Sequence, residues 1–376
     1  MSRAEAVNVF KNVYKVDNLK GAVNPEYSRS FSNVKGFVSY SARFDRDVLG
    51  SKPKLVLVSA RYGDNDDWHK RDQFAHEAGV YIRSTNSIYF TSNFQTSDPI
   101  VHLYSIDCDS WRIKKLDYAD VHCANGACHW QDKVLYCVQG DQKHPSTLVA
   151  VDPKTDTSET VLTNFYGRSF SSINDVVVHY HTGDIWFTDP IYGYMQGFRP
   201  TPELPKQVYR FNPTTGVIAV VADGFDQCNG LCFSPDFSKL YVTDTGAVGS
   251  HLGVEDGHNF SFDGRRASSI YVYDVLEHGT RLGPRRFFAF CSNGVPDGIK
   301  CDDRGNVYSG CGDGVHVWDP QGILIGKIAT ARTVANFCFA KDGMWLFAEE
   351  ELYWVGLQAR GALTGIECDG LPVHIS

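Results

Sequence analysis

One phrase occurs six times along this chain, and that repetition restricts the fold more than any other feature of its 376 residues. An Asn, Asp or Glu is followed by a few mostly apolar residues, a short polar turn, and a strand-like run ending in a polar residue. The copies are EAGVYIRSTNSIYFTSN from Glu77, NGACHWQDKVLYCVQGD from Asn125, NDVVVHYHTGDIWFTDP from Asn174, NGLCFSPDFSKLYVTDT from Asn229, DGIKCDDRGNVYSGCGD from Asp297 and NFCFAKDGMWLFAEEE from Asn336. Successive starts lie 48, 49, 55, 68 and 39 residues apart. A fixed period of this size signals one supersecondary unit used repeatedly.

Each copy reads as a β-hairpin, two apolar runs of strand length around turn signals such as HTGD, SPDFSK, DDRGN and AKDG. A second strand pair follows most copies, for example HPSTLVAVDPKTDTSETVLT and KQVYRFNPTTGVIAVVAD. Two hairpins per period make a four-stranded sheet, so the chain is expected to be all-β, a six-bladed β-propeller of four-stranded antiparallel blades. The aromatic content of 13% and the 34 Gly against 3 Met suit that class. Two packed sandwiches would not repeat one motif six times. The whole chain, 1–376, reads as a single propeller domain, with residues 1–35 an extension that packs on the ring or closes it. The apolar runs GFVSYSARF and PKLVLVSA are expected to share a blade with ELYWV from the other end.

Composition narrows the partners. The net charge is −8 without a long basic run, which argues against nucleic acid. No stretch approaches the roughly 18–20 apolar residues that cross a bilayer, so no membrane is expected. The first residues lack an apolar signal core. The 11 Cys form no C-x-x-C pair and sit in apolar runs such as LCF and FCF, as small buried thiols. A reduced, cytoplasmic protein acting on a small molecule is the expectation, with monomer and dimer both open. No G-x-S-x-G elbow occurs, so a serine hydrolase of the α/β type is not supported.

The innermost strand of a propeller blade borders the central channel, so the first residues of the repeats should converge. They are Glu77, Asn125, Asn174, Asn229, Asp297 and Asn336, carboxylates and amides alone. Hard oxygen donors of this kind suit calcium, and two carboxylates neutralise a divalent ion. The alternative is that each merely forms an Asx-turn with the following Gly. Six at one register favour a shared site.

SINDVVVHYHTGDIWFTDPIYG followed by PELPKQVYRFNP, QCNGLCFSPDFSKLYVTDT and VPDGIKCDDRGNVYSG together resemble the SMP-30/gluconolactonase-like family of calcium-dependent lactonohydrolases. HEAGVY resembles that family's glutamate motif more loosely, with E-A-G in place of E-G-P. The similarity runs from about Glu77 to the C-terminus. It implies a six-bladed propeller holding a divalent ion, most often Ca2+, at one end of the channel, with Glu77, Asn174, Asn229 and Asp297 as ligands. Asn125 then matches a substrate-side asparagine, and Asn336 matches no ligand.

Such a site can polarise a carbonyl and activate water, which suits the hydrolysis of a sugar lactone or a secondary-metabolite lactone. Asp297 is the candidate base or nucleophile. The Pro-, Gly- and aromatic-rich segment 190–205 reads as a substrate lid with Tyr192 facing the pocket, or else as an ordered connector. Asp244 bonds a substrate hydroxyl or caps its strand. His129 and His144, in the second repeat, are further substrate-binding candidates. His179 and His181 are expected to be solvated. Isomerisation, cyclisation or dehydration on the same site, and a non-catalytic ligand-binding propeller, stay open.

Overall fold

The computed structural model describes residues 8–31, 33–58, 73–94, 100–250, 260–341 and 343–367. The six repeats form six antiparallel sheets around one axis. The first blade comprises Glu77–Ile82, Ser87–Thr91, Leu103–Asp107 and Ile113–Leu116. The second comprises Ala124–Trp130, Lys133–Val138, Thr147–Asp152 and Thr157–Leu162, the third Val176–His179, Asp184–Asp189, Gln207–Phe211 and Ile218–Ala222. In the fourth, Cys228–Phe233, Lys239–Asp244, Ser269–Leu276 and Arg286–Phe290 pair in that order. The fifth is Ile299–Cys301, Val307–Cys311, Gly314–Trp318 and Leu324–Ala329. The sixth takes Asn336–Ala340, Gly343–Ala348 and Glu351–Gly356 from the C-terminal end and Lys54–Leu57 from the N-terminal end.

That last pairing joins the two ends of the chain within one blade. Of the two N-terminal runs, only PKLVLVSA joins ELYWV. The run at Gly36–Ser39 instead adds a fifth strand to the fifth blade, antiparallel to Leu324–Ala329. The reason is an apolar edge: Ile325 and Ile328 are buried there, and Phe44 lies where a Cβ on Gly326 would stand. An uncovered edge of that kind invites foreign strands. Asn8–Phe10 and Val13–Lys15 extend the sixth and fifth blades further.

Blades pack face to face through aromatic layers. Phe90 of the first blade stacks on Phe347 of the sixth at 5.2 Å between centroids, and Trp111 meets Trp345 edge-on at 5.6 Å. Such pairs contribute about 0.5–1.5 kcal/mol beyond their buried area, and here they fasten the junction where the ring closes. Among the described residues no helix is long and apolar enough to cross a membrane.

The innermost strands crowd the axis, which explains the glycine after three of the repeat starts. A Cβ on Gly126, Gly230 or Gly298 would fall 2.4–2.5 Å from Asn174, Asp297 or Asn336 of the next blade. None of the three has positive φ. They are there for close approach rather than for an Asx-turn.

Candidate active site

Each repeat start is fixed by its neighbour. In three blades the second strand carries a Thr whose hydroxyl donates to the carbonyl of the next repeat start: Thr91 to Asn125 (3.3 Å), Thr188 to Asn229 (2.7 Å) and Thr243 to Asp297 (3.0 Å). The residue after the latter two is Asp189 or Asp244, whose carboxylate accepts two backbone N–H groups of the loop leading into its own blade. Asp189 takes Ser171 and Ser172 at 2.9 and 2.7 Å; Asp244 takes Asp226 and Gln227 at 2.9 and 2.8 Å. The Thr-Asp pair therefore sets one blade's strand and the next blade's site residue together.

The outcome is a cavity of about 180 Å³ at one end of the channel. Glu77, Asn125, Asn174, Asn229, Asp297 and Tyr192 all line it. Phe94, Val101, Val248 and Val295 supply an apolar flank, and His76, Gln139, Gln196 and Thr245 complete the polar one.

Three of the oxygens that converge there have no partner of their own. Asn125 Oδ1, Asn174 Oδ1 and Asp297 Oδ1 are buried and accept no hydrogen bond from the protein, an arrangement that costs free energy unless something else binds them. Asn229 Nδ2 donates to Tyr192 Oη at 3.2 Å, and Tyr192 Oη also meets the Thr245 hydroxyl. Asn336 does not line the cavity. Its Nδ2 donates to Glu77 Oε2 at 2.7 Å, so it props the carboxylate from behind.

Burial pushes the carboxyls of Glu77 and Asp297 upward, and acidic neighbours add to it, Asp297 acting on Glu77 and Glu349 on Asp297. Two buried carboxyls with orphaned amide oxygens fit a hard divalent cation, which would satisfy the oxygens and cancel both charges. The set contains no thiol, and the His76 imidazole in the same wall has its Nδ1 on Glu349, so the donors that converge are predominantly hard oxygens.

Several sequence expectations place their residues elsewhere. Asp244 serves as the loop clasp described above and does not line the cavity, because its carboxylate is turned to backbone donors. His129, the fifth residue of its repeat, sits farther down the strand. It lines the cavity at the opposite end of the channel and contacts Tyr180 Oη through Nδ1 at 3.2 Å. His144 stacks on His122 at 3.9 Å and bonds Asp141, outside the cavity lining. His179 is buried at 4% exposure against Phe233 and Phe237, although His181 is exposed.

Segment 190–205 does roof the cavity with Tyr192, on the short helix Tyr192–Met195. It is pinned rather than free: the Arg199 guanidinium, 5% exposed, donates to the carbonyls of Ser171, Phe170, Asp141 and His144 at 2.7–3.0 Å. The long spacing between the fourth and fifth repeats comes from residues 250–267, an expected insertion; a two-stranded ribbon there, Val248–Ser250 with Phe260–Phe262, lies beside the cavity, and residues 251–259 lie outside the described residues.

The sequence reading missed the wall formed by His76. Its Nδ1 bonds Glu349 Oε1 at 2.9 Å, and Glu349 Oε2 accepts from Asn93 at 3.3 Å. Glu349 also exchanges both backbone hydrogen bonds with Ala75, which ties the sixth blade to the first. The recurring F-T-S, F-T-D and V-T-D ends of the second strands were the signal for the threonine links. For His76 and Glu349, 273 residues apart, no local signal exists.

The sequence profile of the SMP-30/Gluconolactonase/LRE-like region matches residues 142–248 and 254–349, more than half of the chain. A lactonohydrolase of Aspergillus oryzae is 29% identical over 359 residues, covering 88% of this chain and 78% of its own. A gluconolactonase of Zymomonas mobilis is 28% identical over 211 residues, 53% of this chain and 54% of its own. Among solved structures, a gluconolactonase from Xanthomonas campestris superposes with a TM-score of 0.68 at 23% identity, over 86% of this chain and 96% of that one. The calcium-binding protein regucalcin from Agrobacterium tumefaciens does so with a TM-score of 0.56 at 14% identity, over 78% and 93%. At these identities the structural likeness concerns the fold.

Proposed function

The chain belongs to the SMP-30/gluconolactonase/LRE-like family, and on that footing we propose that it opens a lactone ring by hydrolysis at the polar end of its channel, with calcium as the resident cation. The lactonohydrolase and gluconolactonase relatives support the reaction class. The observation that carries the reading to these residues is the set of unpartnered oxygens, Asn125 Oδ1, Asn174 Oδ1 and Asp297 Oδ1, beside the Glu77 carboxylate in one cavity.

Glu77, Asn174, Asn229 and Asp297 would hold the cation. Bound there, it would polarise the lactone carbonyl and offset the charge that develops on its oxygen. Asp297 is the base that takes the proton of the water adding to the carbonyl carbon. The proton passes to the ring oxygen as the carbon–oxygen bond breaks, and the product is a hydroxy acid. Asn336 keeps Glu77 aimed, and Thr243 keeps the Asp297 backbone in place. Asn125 faces the substrate with a free carbonyl oxygen, suited to a hydroxyl donor. The Phe94, Val101, Val248 and Val295 flank suits a substrate that is partly apolar.

Asp297→Asn keeps the size and most of the hydrogen bonding of the side chain but cannot accept the proton. Turnover should fall by about 10²–10⁴-fold, with the thermal midpoint of the cation-free protein unchanged or raised. A variant that folds and turns over at the parent rate would remove Asp297 from this role.

A further inference from the structure

We propose that Cys291, Cys311 and His316 form a second metal site, structural and thiophilic, for a d10 cation (Zn2+ or Cu+) between the fourth and fifth blades. Cys291 directly follows the outer strand of the fourth blade, Cys311 ends the second strand of the fifth, and His316 lies in the third strand of the fifth. In the fifth blade's ladder Ser309 stands opposite His316. Cys311, two residues on from Ser309, therefore shares a sheet face with His316. The two sulfurs and one ring nitrogen of His316 all lie within 4.8 Å of one another. Zinc holds sulfur at about 2.3 Å and nitrogen at about 2.0 Å, so the ligand atoms of a closed site stand roughly 3.5–4 Å apart. The trio needs only about an ångström of closure.

The imidazole is already prepared. His316 is fully buried, its Nε2 bonds Asp313 Oδ1 at 2.6 Å, and its Nδ1 has no partner in the protein. A carboxylate on one ring nitrogen fixes the proton there and leaves the other nitrogen's lone pair for a metal, the usual outer arrangement of metal-bound histidine. Asp313 is itself held by Lys327 Nζ at 3.0 Å. The thiols hydrogen-bond one another, and each also reaches a carbonyl, Cys291 that of Asn293 at 3.0 Å and Cys311 that of Ser309 at 3.5 Å. Binding releases one proton from each thiol. Two thiolates balance a divalent ion, and the Asp313–Lys327 pair is neutral on its own.

The site differs in kind from the one in the channel, soft donors against hard ones. It also stands behind it. The segment after Cys291 runs through Asn293, whose carbonyl accepts from Gly312 N at 2.9 Å, and through Val295 of the cavity wall to Asp297. A cation on Cys291, Cys311 and His316 would clamp that segment between two blades.

The test uses the whole reduced protein, loaded with Zn2+ alone or with Cu+ alone, and with Co2+ as a coloured stand-in for zinc. One equivalent is expected to bind, with two sulfurs and one nitrogen in the X-ray absorption of the wild type and a thiolate-to-cobalt charge-transfer band. Cys291→Ser and Cys311→Ser should each lose the band. Asp313→Asn, acting through His316, should weaken binding by about 10–100-fold, and Glu77→Gln should leave it intact. No sulfur-bound metal in the wild type, a band that survives Cys291→Ser, or a Cys291–Cys311 disulfide in freshly isolated protein would overturn the proposal. The wild-type spectra decide even where a variant does not fold.

Discussion

The two ends of the channel are built by the same six innermost strands and are chemical opposites. At one end stand Glu77, Asn125, Asn174, Asn229 and Asp297; at the other, Val80, Ala127, Val176, Leu231, Ile299 and Phe339, with His129 and Lys300 among them, line a mostly apolar cavity of about 60 Å³ over which Gly361–Thr364 packs. Only a few residues along each strand separate the two. The difference teaches that the polar end depends on the apolar one. With mostly apolar side chains below, the buried carboxyls and orphaned oxygens above are held in a low-dielectric setting where a cation or a developing charge interacts strongly.

That dependence can be broken from either side. The largest effect on stability is expected from Arg199→Met at the polar end. It removes a buried guanidinium that serves four carbonyls, and about 3–5 kcal/mol should be lost by denaturant titration. The roof carrying Tyr192 should loosen with it, so KM should rise. At the apolar end, Leu231→Ala removes a buried side chain from a hydrophobic cluster and should lower stability by about 2–5 kcal/mol. Calcium affinity should follow only weakly, and a large loss of affinity would show that the apolar half shapes the site directly.

Cation removal sharpens the contrast. At a free calcium concentration one hundredfold above its Kd, the folded state gains about 2.7 kcal/mol. Chelation should lower the thermal midpoint of the parent, and Glu77→Gln should blunt that response.

A pH dependence arising at the apolar end probes the contrast in another way. Burial, and then the neighbouring His181, lower the pKa of His179 from 6.5 to about 4. The unfolded chain takes up that proton first. The contribution is therefore complete above about 6.5 and is lost as the pH falls toward 4. His179→Leu should flatten the fall in thermal midpoint over that interval.

The blades were legible because a repeat of hairpins has few ways to bury its faces, and the channel residues were legible because position in the repeat is position on the axis. Glu77, Asn125, Asn174, Asn229 and Asp297 met as that logic requires. What local pattern could not show was which neighbours each side chain would find. Asp244 looked like a pocket residue because it ends a strand at the right height, yet two backbone donors claim it. His129 has the right repeat and the wrong depth. His179 reads as a turn residue, but the aromatic pair Phe233 and Phe237 comes from the next blade. Arg199 and Glu349 act across 28–273 residues of sequence, and contacts that distant leave no periodic trace.

The central claim is that a cation at the polar end turns these residues into a lactone-opening site. Proton release from aldono-, aryl- and macrocyclic lactones, measured with calcium and with excess chelator, tests it most directly. The expected result is hydrolysis of at least one class that chelator abolishes and added calcium restores. Hydrolysis indifferent to chelator, or none at all by protein shown to carry calcium, would contradict it.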